Sequence, residues 1–463
     1  MGVVPDHRPP DILRLAPPAW AVTEGDIAAV VSKILDAARG VQGASGDASS
    51  TIYWCRYQTL SSSHMDLILH LGQHKTGSKA LQAALLHNQK SLAKVGMLYP
   101  NLCPKHSVVA YQISHFKLFT LLRYRAMKQS GDEKAESFWK QHQEVAFPDQ
   151  SPEDLFKKLH REAIKSNSHT LILSAEDLFD MHTAQELGFE PTLIASASRQ
   201  LKVCCEQFGF SPRLLIYLRR QDYLAVAHYN QYVKSTTKPE LDFESYLSQF
   251  FPRLKTFSIL GYWREVFGDQ SIQIRPYEKS TLPDGIVSDF FTHVLKKPFP
   301  QSWQTTPRTI ETVNATPPRD YLEFLLAQKK LGLSRGQFPQ ELILQEALMH
   351  HREGLSLEEW FTQDSQMHLL DELKTENEAL REFSTGKKEG AFFTEPVASP
   401  AHAWQPYAGF SPSKAIEIAR EVHARSLETQ RKNLRQRVQK IATRMALILL
   451  ISLLLVLLFS YLI

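Results

Sequence analysis

The sequence predicts an α/β protein of the P-loop-like kind, with a central parallel sheet and a C-terminal transmembrane helix. Residues 67–82 read as a strand, a turn with two glycines and a helix. A second strand-like run, 213–218, ends in two arginines and leads into a helical stretch over 223–234. Strands that alternate with helices favour a parallel sheet. The run 446–463 is apolar apart from three residues, which favours a membrane span.

The first of these segments has the form of an anion-binding loop. The apolar run 67–71 predicts a short buried strand, and Gly72 and Gly77 mark the turn before the helix. A strand, a tight turn and a helix together direct backbone N–H groups and the positive end of the helix dipole at an anion, usually a phosphate. Lys75 and Ser78 add a positive charge and a hydroxyl at the same point.

The spacing argues against an ordinary nucleotide triphosphatase. Gly72 and Gly77 are spaced as in a Walker A loop, but that loop ends in Gly-Lys-Ser/Thr. Here the order is Gly77-Ser78-Lys79, so the lysine and the hydroxyl are exchanged. The hydroxyl that would bind Mg²⁺ is therefore misplaced. A P-loop kinase remains the weaker alternative, and dependence on a metal would distinguish it.

The string His74-Lys75-Thr76-Gly77-Ser78 resembles the 5′-phosphosulfate loop of sulfotransferases that use 3′-phosphoadenosine 5′-phosphosulfate (PAPS). It is most similar to bacterial sulfotransferase-family proteins with a His-Lys-Thr-Gly-Ser/Thr loop. The resemblance runs from about Met65 to about Pro396 and implies a three-layer sulfotransferase fold around the parallel sheet. It also implies transfer of a sulfuryl group from PAPS, without a metal, to a hydroxyl or amine acceptor, with carbohydrate or glycolipid as the favoured class.

The second segment resembles the family's clamp for the 3′-phosphate. Arg219, at the end of the predicted strand, matches the arginine of that clamp. Eight residues later the family has a serine, and this chain has Ala227. The departure removes one hydrogen bond to a charged group, worth roughly 1.5–3 kcal/mol. A catalytically impaired PAPS-binding or scaffold protein therefore stays open as an alternative, and activity that depends on Lys75 would separate the two.

Three further segments resemble the same family in the same order. They match its Ser-Ser-Glu strand, its Arg-Pro-Tyr/Phe-Glu segment and its closing helix with a Leu-Phe tail. In this chain they are Leu171–Leu178, Ile274–Lys279 with Asp289–Phe290, and Asn377–Arg381 with Ala391–Phe393. Just before the last of them, Ser356–Glu359 has the pattern of a capping box and predicts one helix that runs to about Phe383.

The resemblance implies a set of site residues. Lys75 would stabilise the bridging oxygen and the leaving phosphate, as the family's loop lysine does. His106, in the polar loop after the first helix, is the predicted general base, because a histidine pKa lies near neutral pH. His115 and Glu176 are competing bases; Glu176 could instead orient the base, touch the acceptor or cap a helix. The predicted cofactor-binding residues are His74, Lys75, Thr76, Gly77, Ser78, Lys79 and Arg219.

Composition excludes some classes of function. The chain has 463 residues, of which 43% are hydrophobic, enough for one sizeable globular domain. A net charge of +4, without a basic stripe that alternates with aromatic residues, gives no support for nucleic acid binding. The cysteines show no metal-binding spacing and predict a reduced compartment. They are Cys55, Cys103, Cys204 and Cys205.

The ends of the chain differ from its middle. We predict a partly disordered N-terminal extension (1–64), a sulfotransferase-like domain (65–396), a linker with a basic juxtamembrane helix (397–444) and a transmembrane tail anchor (445–463). A helix as long as that last segment would measure about 28 Å, close to a bilayer core. Basic residues predominate just before it, which predicts a cytoplasmic flank. The chain is therefore predicted to be a single-pass, tail-anchored membrane protein with its catalytic domain in the cytoplasm.

Overall fold

The structure is a computed structural model. It describes residues 65–102, 113–183, 186–235, 241–297, 317–331, 343, 347, 357–397 and 407–462. The chain divides into two units, Met1–Ser63 and His64–Ile463, and every described residue belongs to the second unit. The predicted N-terminal extension, 1–64, lies outside the described residues.

A parallel sheet forms the centre of the described part of the chain, as predicted. Its strands are hydrogen-bonded in the order β2-β3-β1-β4-β5. They are β1 (Met65–Leu71), β2 (Met97–Leu98), β3 (Thr170–Ala175), β4 (Phe210–Leu218) and β5 (Ile272–Pro276).

Strand β1 lies where the strand order changes direction. The chain moves from β1 outward to β2 and back to β3 on one side, and then crosses to β4 and β5 on the other. In open α/β sheets, ligands bind in the crevice at the carboxyl ends of the strands beside such a point. The loop after β1 is therefore the expected position of a ligand site.

Helices connect the strands and cover the sheet. They are α1 (Ser78–His87), α2 (Gln89–Lys94), α3 (Phe116–Ser130), α4 (Ala135–Ala146), α5 (Pro152–Lys165), α6 (Pro191–Gln207), α7 (Gln221–Ser235), α8 (Phe243–Leu254), α9 (Thr256–Phe267), α10 (Gly285–Asp289), α11 (Arg319–Lys330), α12 (Gln363–Glu372), α13 (Lys374–Thr385) and α14 (Pro412–Leu462).

Alternate side chains of β1 enter two separate apolar clusters. Leu67, Leu69 and Leu71 pack into a cluster with side chains of α3, α5, α6 and α9, whereas Ile68 packs into one with α1 and α10. Side chains on successive strand residues point to opposite faces, which accounts for the division. A third apolar cluster joins α7, α8, α11, α12 and the first turns of α14. Helix α7 is thereby held against a helical layer beside the sheet.

The C-terminal prediction needs correction. Residues 412–462 form one helix, α14, so the apolar tail continues the helix that carries the basic residues and is not a separate element. Within the described residues, none of the helices combines the length and the apolar character that crossing a membrane requires. The predicted transmembrane tail anchor at 445–463 is therefore wrong, and so is the membrane localisation that was predicted from it.

Candidate functional site

The loops that follow four neighbouring strands meet at the carboxyl edge of the sheet. Strand β1 leads into Lys75, β3 into Glu176, β4 into Arg219 and β5 into Tyr277. The registers of the parallel pairs align these strand ends; for example, the Gly72 N–H donates to the Ala175 carbonyl oxygen at 3.2 Å. Segments that are distant in sequence thus form one site.

The β1–α1 loop has a strained and well-supported backbone. Lys75 adopts φ 68°, in the left-handed region that residues other than glycine rarely occupy. The Thr76 hydroxyl donates to the Gln73 carbonyl oxygen at 2.6 Å, and Gly77, at φ 74°, is the N-cap of α1. The first N–H groups of a helix have no partner within the helix, so the loop presents donors and the positive end of the α1 dipole at one place.

Gly72 allows the loop to lie against the end of β3. A Cβ atom on Gly72 would lie 2.6 Å from the Cα of Glu176 and 2.8 Å from the Oγ of Ser78. The first of these neighbours is backbone, so it cannot rotate away. A side chain at this position would push the loop and β3 apart.

We therefore expect Gly72→Ala to destabilise the fold by about 1–3 kcal/mol, the usual cost of overpacking. The measurement is the free energy of unfolding from urea titration, with the slope of the transition checked for constancy. Gly188→Ala is the matched control, because Gly188 is exposed and a Cβ there meets no atom within 4 Å. Equal stability of the two variants would contradict the close approach at Gly72.

Lys75 and Arg219 are joined to one another and to two glutamines. The Lys75 ammonium donates to Gln231 Oε1 at 2.8 Å. The Arg219 guanidinium donates to the Lys75 carbonyl oxygen at 2.9 Å, and the Arg219 N–H donates to Gln73 Oε1 at 2.8 Å. These contacts hold the left-handed Lys75 in place. The two anion-binding segments predicted from sequence are therefore one structural unit.

The site holds two basic side chains that have no carboxylate partner among the described residues. The pKa of Lys75 is lowered to about 7, chiefly by burial and also by the cations Lys234, Lys79 and Arg219, against the opposing effect of Glu176. Burial also lowers the pKa of Arg219. In the described part of the chain, neither Lys75 nor Arg219 has a carboxylate within ion-pair distance. Buried charges are costly unless paired, so this cleft favours an anion.

Glu176 is part of an ion pair within the site. Its carboxylate accepts from the Lys79 ammonium at 2.9 Å. Burial raises the pKa of Glu176, but Lys79, His74 and Lys75 outweigh burial and hold it well below its usual range. An ionised carboxylate with so low a pKa is a poor proton acceptor, and the ion pair holds the Lys79 ammonium at the end of β3.

Of the two histidines that were considered as bases, the structure describes only His115. His106 lies outside the described residues. His115 is buried, its Nδ1 accepts from the Ser174 N–H at 2.7 Å, and its Nε2 donates to the Pro100 carbonyl oxygen at 2.8 Å. Burial lowers the pKa of His115 to about 4. Both of its ring nitrogens are engaged, one by β3 and the other by Pro100, so His115 has a structural role.

Sequence reasoning missed several residues of the site. Gln73 uses Oε1 for Arg219, and its Nε2 is buried without a partner in the described part of the chain. Tyr277 lies over the loop: its hydroxyl would be 2.9 Å from a Cβ on Gly77, and its ring centroid is 5.7 Å from the Arg219 guanidinium carbon. Neutral amides and a tyrosine carry no spacing signal, so only the tertiary structure reveals them. Among the described residues there is no group of His, Cys, Asp and Glu side chains suited to a metal.

Comparison with known proteins gives limited information. No protein-family model matches the chain. An uncharacterized protein of Archaeoglobus fulgidus is 26% identical over 234 residues, which are 49% of this chain and 57% of that protein. The chain thus spans little more than half the length of this relative. The crystal structure of a sulfotransferase from Alicyclobacillus acidocaldarius overlaps 58% of this chain and 96% of its own, with 11% identity and a TM-score of 0.31. That is a coarse likeness of fold.

Proposed function

We propose that the chain is a PAPS-dependent sulfotransferase that transfers a sulfuryl group to a hydroxyl or amine acceptor, with carbohydrate as the favoured class. The observation that supports this most directly is the pairing of Lys75 and Arg219 without a carboxylate partner among the described residues. PAPS and its product carry anionic groups at two positions, the 5′ end and the 3′ end. Two linked cationic segments suit such a ligand better than a single phosphate.

The loop and the clamp have distinct roles in this proposal. Backbone N–H groups from Thr76 to Lys79 and the hydroxyl of Ser78 hold the 5′-phosphate at the start of α1. Lys75 stabilises the bridging oxygen as negative charge develops on the leaving phosphate. Arg219 binds the 3′-phosphate. The orphaned donor of Gln73 supplies a further hydrogen bond to an anionic oxygen.

The test is calorimetric titration of the full chain with adenosine 3′,5′-bisphosphate, the product of transfer. We expect micromolar binding, much weaker binding of ATP, and weaker binding of adenosine 5′-phosphate. Added Mg²⁺ should leave the affinity for adenosine 3′,5′-bisphosphate unchanged, whereas a P-loop kinase would bind ATP with Mg²⁺ in preference. No preference for the ligand with a 3′-phosphate would refute the assignment of the cofactor.

The alternative of an impaired binding protein depends on Ala227. Tyr223, Ala227 and Gln231 share one face of α7, because they are spaced four residues apart. The Tyr223 ring lies 5.7 Å from the Arg219 guanidinium carbon, and Gln231 accepts from Lys75, so Ala227 stands between two contacts of the site. Two alternatives to the missing serine lie beside Ala227. His228 Nδ1 bonds to the Tyr246 hydroxyl and the Tyr229 hydroxyl donates to the Leu241 carbonyl oxygen, whereas His228 Nε2 is buried without a partner in the described part of the chain.

We expect Ala227→Ser to tighten binding of adenosine 3′,5′-bisphosphate by at most about 1–2 kcal/mol, the value of one charge-assisted hydrogen bond. Calorimetry measures the gain, and adenosine 5′-phosphate should show none. Ala93→Ser, at an exposed position on α2, serves as the control. Weaker binding by the Ala227→Ser variant would mean that the face of α7 is already filled when the ligand is bound.

A further inference from the structure

His74 lies in the β1–α1 loop and uses only one of its two ring nitrogens for a hydrogen bond to a described residue. Its Nε2 lies 3.0 Å from the His182 carbonyl oxygen. A carbonyl oxygen only accepts, so Nε2 carries the proton and Nδ1 carries the lone pair. Nδ1 makes no hydrogen bond to a described residue, and it is absent from the fully buried atoms that lack a partner. The ring is thus held by one side while its basic nitrogen stays accessible.

A carboxylate lies near the same ring, on the side of Nε2. Asp177, which follows Glu176 at the end of β3, has Oδ1 3.7 Å from His74 Nε2. Burial and the neighbouring Glu176 raise the pKa of Asp177 to about 7, against the opposing effect of His74. The carboxylate lies close enough to attract an imidazolium that forms on His74 during the reaction. Carboxylates that orient a histidine and stabilise its charged form are a common support for proton transfer.

Four other candidates near this edge of the sheet are committed elsewhere. His70 is fully buried, and its Nδ1 bonds to the Ser174 hydroxyl at 2.8 Å. His228 is fully buried between the Tyr246 hydroxyl and the Phe250 ring. His115 has both ring nitrogens occupied, and Glu176 is paired with Lys79. Of these described groups, His74 alone combines a fixed tautomer with an accessible lone pair.

We propose that His74 is the general base of the transfer reaction, a role that rests on the proposed function and that sequence reasoning gave to His106. His74 Nδ1 takes the proton of the acceptor O–H or N–H. The acceptor's electron pair forms the new bond to sulfur, and the bond between sulfur and the 5′-phosphate oxygen of PAPS breaks. Adenosine 3′,5′-bisphosphate leaves, with its new negative charge held by Lys75. Asp177 stabilises the His74 imidazolium until its proton passes to solvent.

The first test reads the tautomer in the full chain. Histidine labelled with ¹⁵N is observed by NMR, and the His74 signals are assigned by their loss in His74→Gln and His74→Asn. We expect the Nε2–H tautomer at high pH and a shift of Nδ1 when adenosine 3′,5′-bisphosphate saturates the protein. An Nδ1–H tautomer, or His74 signals that do not change when the ligand binds, would overturn the proposal.

The second test separates binding from chemistry. His74→Gln keeps a donor for the His182 carbonyl oxygen but lacks a base. At saturating PAPS, it should release adenosine 3′,5′-bisphosphate about 10²–10⁴-fold more slowly than the wild type with methyl galactoside as the acceptor probe. His87→Gln, on the exposed end of α1, is the control. A variant that keeps the wild-type rate would overturn the role of His74.

Failure of the two proposals can be told apart. A wild-type protein that does not bind adenosine 3′,5′-bisphosphate refutes the proposed function. A wild-type protein that binds it, but shows the Nδ1–H tautomer or a rate independent of His74, refutes only the role of His74. If methyl galactoside is not turned over, the tautomer of His74 and its response to the ligand decide whether His74 is the base.

Discussion

Lys75→Met should lower the rate of sulfuryl transfer by about 10²–10³-fold, the usual effect of removing one donor that stabilises developing charge. The ammonium donates to the neutral Gln231 in the structure, and a group bound only by a neutral amide can turn to a bound anion. Methionine keeps much of the volume of the side chain but not the charge. The measurement is release of adenosine 3′,5′-bisphosphate from PAPS under saturating cofactor.

The fold should tolerate this change. Lys75 is half-buried and forms no ion pair with a described residue, so its charge contributes little to stability. The unfolding midpoint in urea should therefore stay close to that of the wild type and of Lys90→Ala, an exposed control on α2. A variant that unfolds, or one with full turnover, would show that Lys75 is structural or peripheral.

The same variant should change how binding depends on pH. In the empty site the pKa of Lys75 is lowered to about 7, chiefly by burial, so the side chain is largely neutral at pH 8. A bound anion favours the ammonium, and binding at pH 8 must then take up a proton. The affinity for adenosine 3′,5′-bisphosphate should fall as pH rises above about 7. Calorimetry in buffers of different ionisation heat should show this proton uptake reduced in Lys75→Met.

Local patterns were enough to predict the centre of the fold. The apolar run, the glycine turn and the helical spacing around Lys75 are short-range signals, and the structure shows β1, the loop and α1 in that order. Arg219 likewise follows β4, as its position after an apolar run indicated. Strand β1 pairs in parallel with β3 and β4, so the loops that follow these strands lie at the same carboxyl edge of the sheet. The parallel sheet therefore suffices to bring the two predicted anion-binding segments together.

Tertiary contacts decided what local patterns could not. Lys79 pairs with Glu176, 97 residues away, and no local spacing announces such a contact. The predicted helix from Ser356 to about Phe383 is divided, because Thr362 caps a new helix at Gln363 by accepting from the Ser365 N–H. The apolar tail was interpreted alone, whereas it continues a helix that begins at Pro412.

Arg219→Ala should remove the preference for a 3′-phosphate. The side chain lies between the rings of Tyr223 and Tyr277, each 5.7 Å from its guanidinium carbon, and forms no ion pair with a described residue. A hydrogen bond to a charged group is worth about 1.5–3 kcal/mol, which corresponds to roughly 10- to 100-fold in affinity. We expect adenosine 3′,5′-bisphosphate to lose that much binding in the variant.

The ratio of two affinities isolates the effect. Arg219 also bonds to the Lys75 carbonyl oxygen, so its loss can disturb the loop that holds the 5′-phosphate. Such a disturbance affects adenosine 5′-phosphate and adenosine 3′,5′-bisphosphate alike and cancels in their ratio. The ratio should fall toward one in Arg219→Ala and stay at the wild-type value in Arg199→Ala, an exposed control on α6. A ratio that survives the loss of Arg219 would place the 3′-phosphate elsewhere and would require another cation for the clamp.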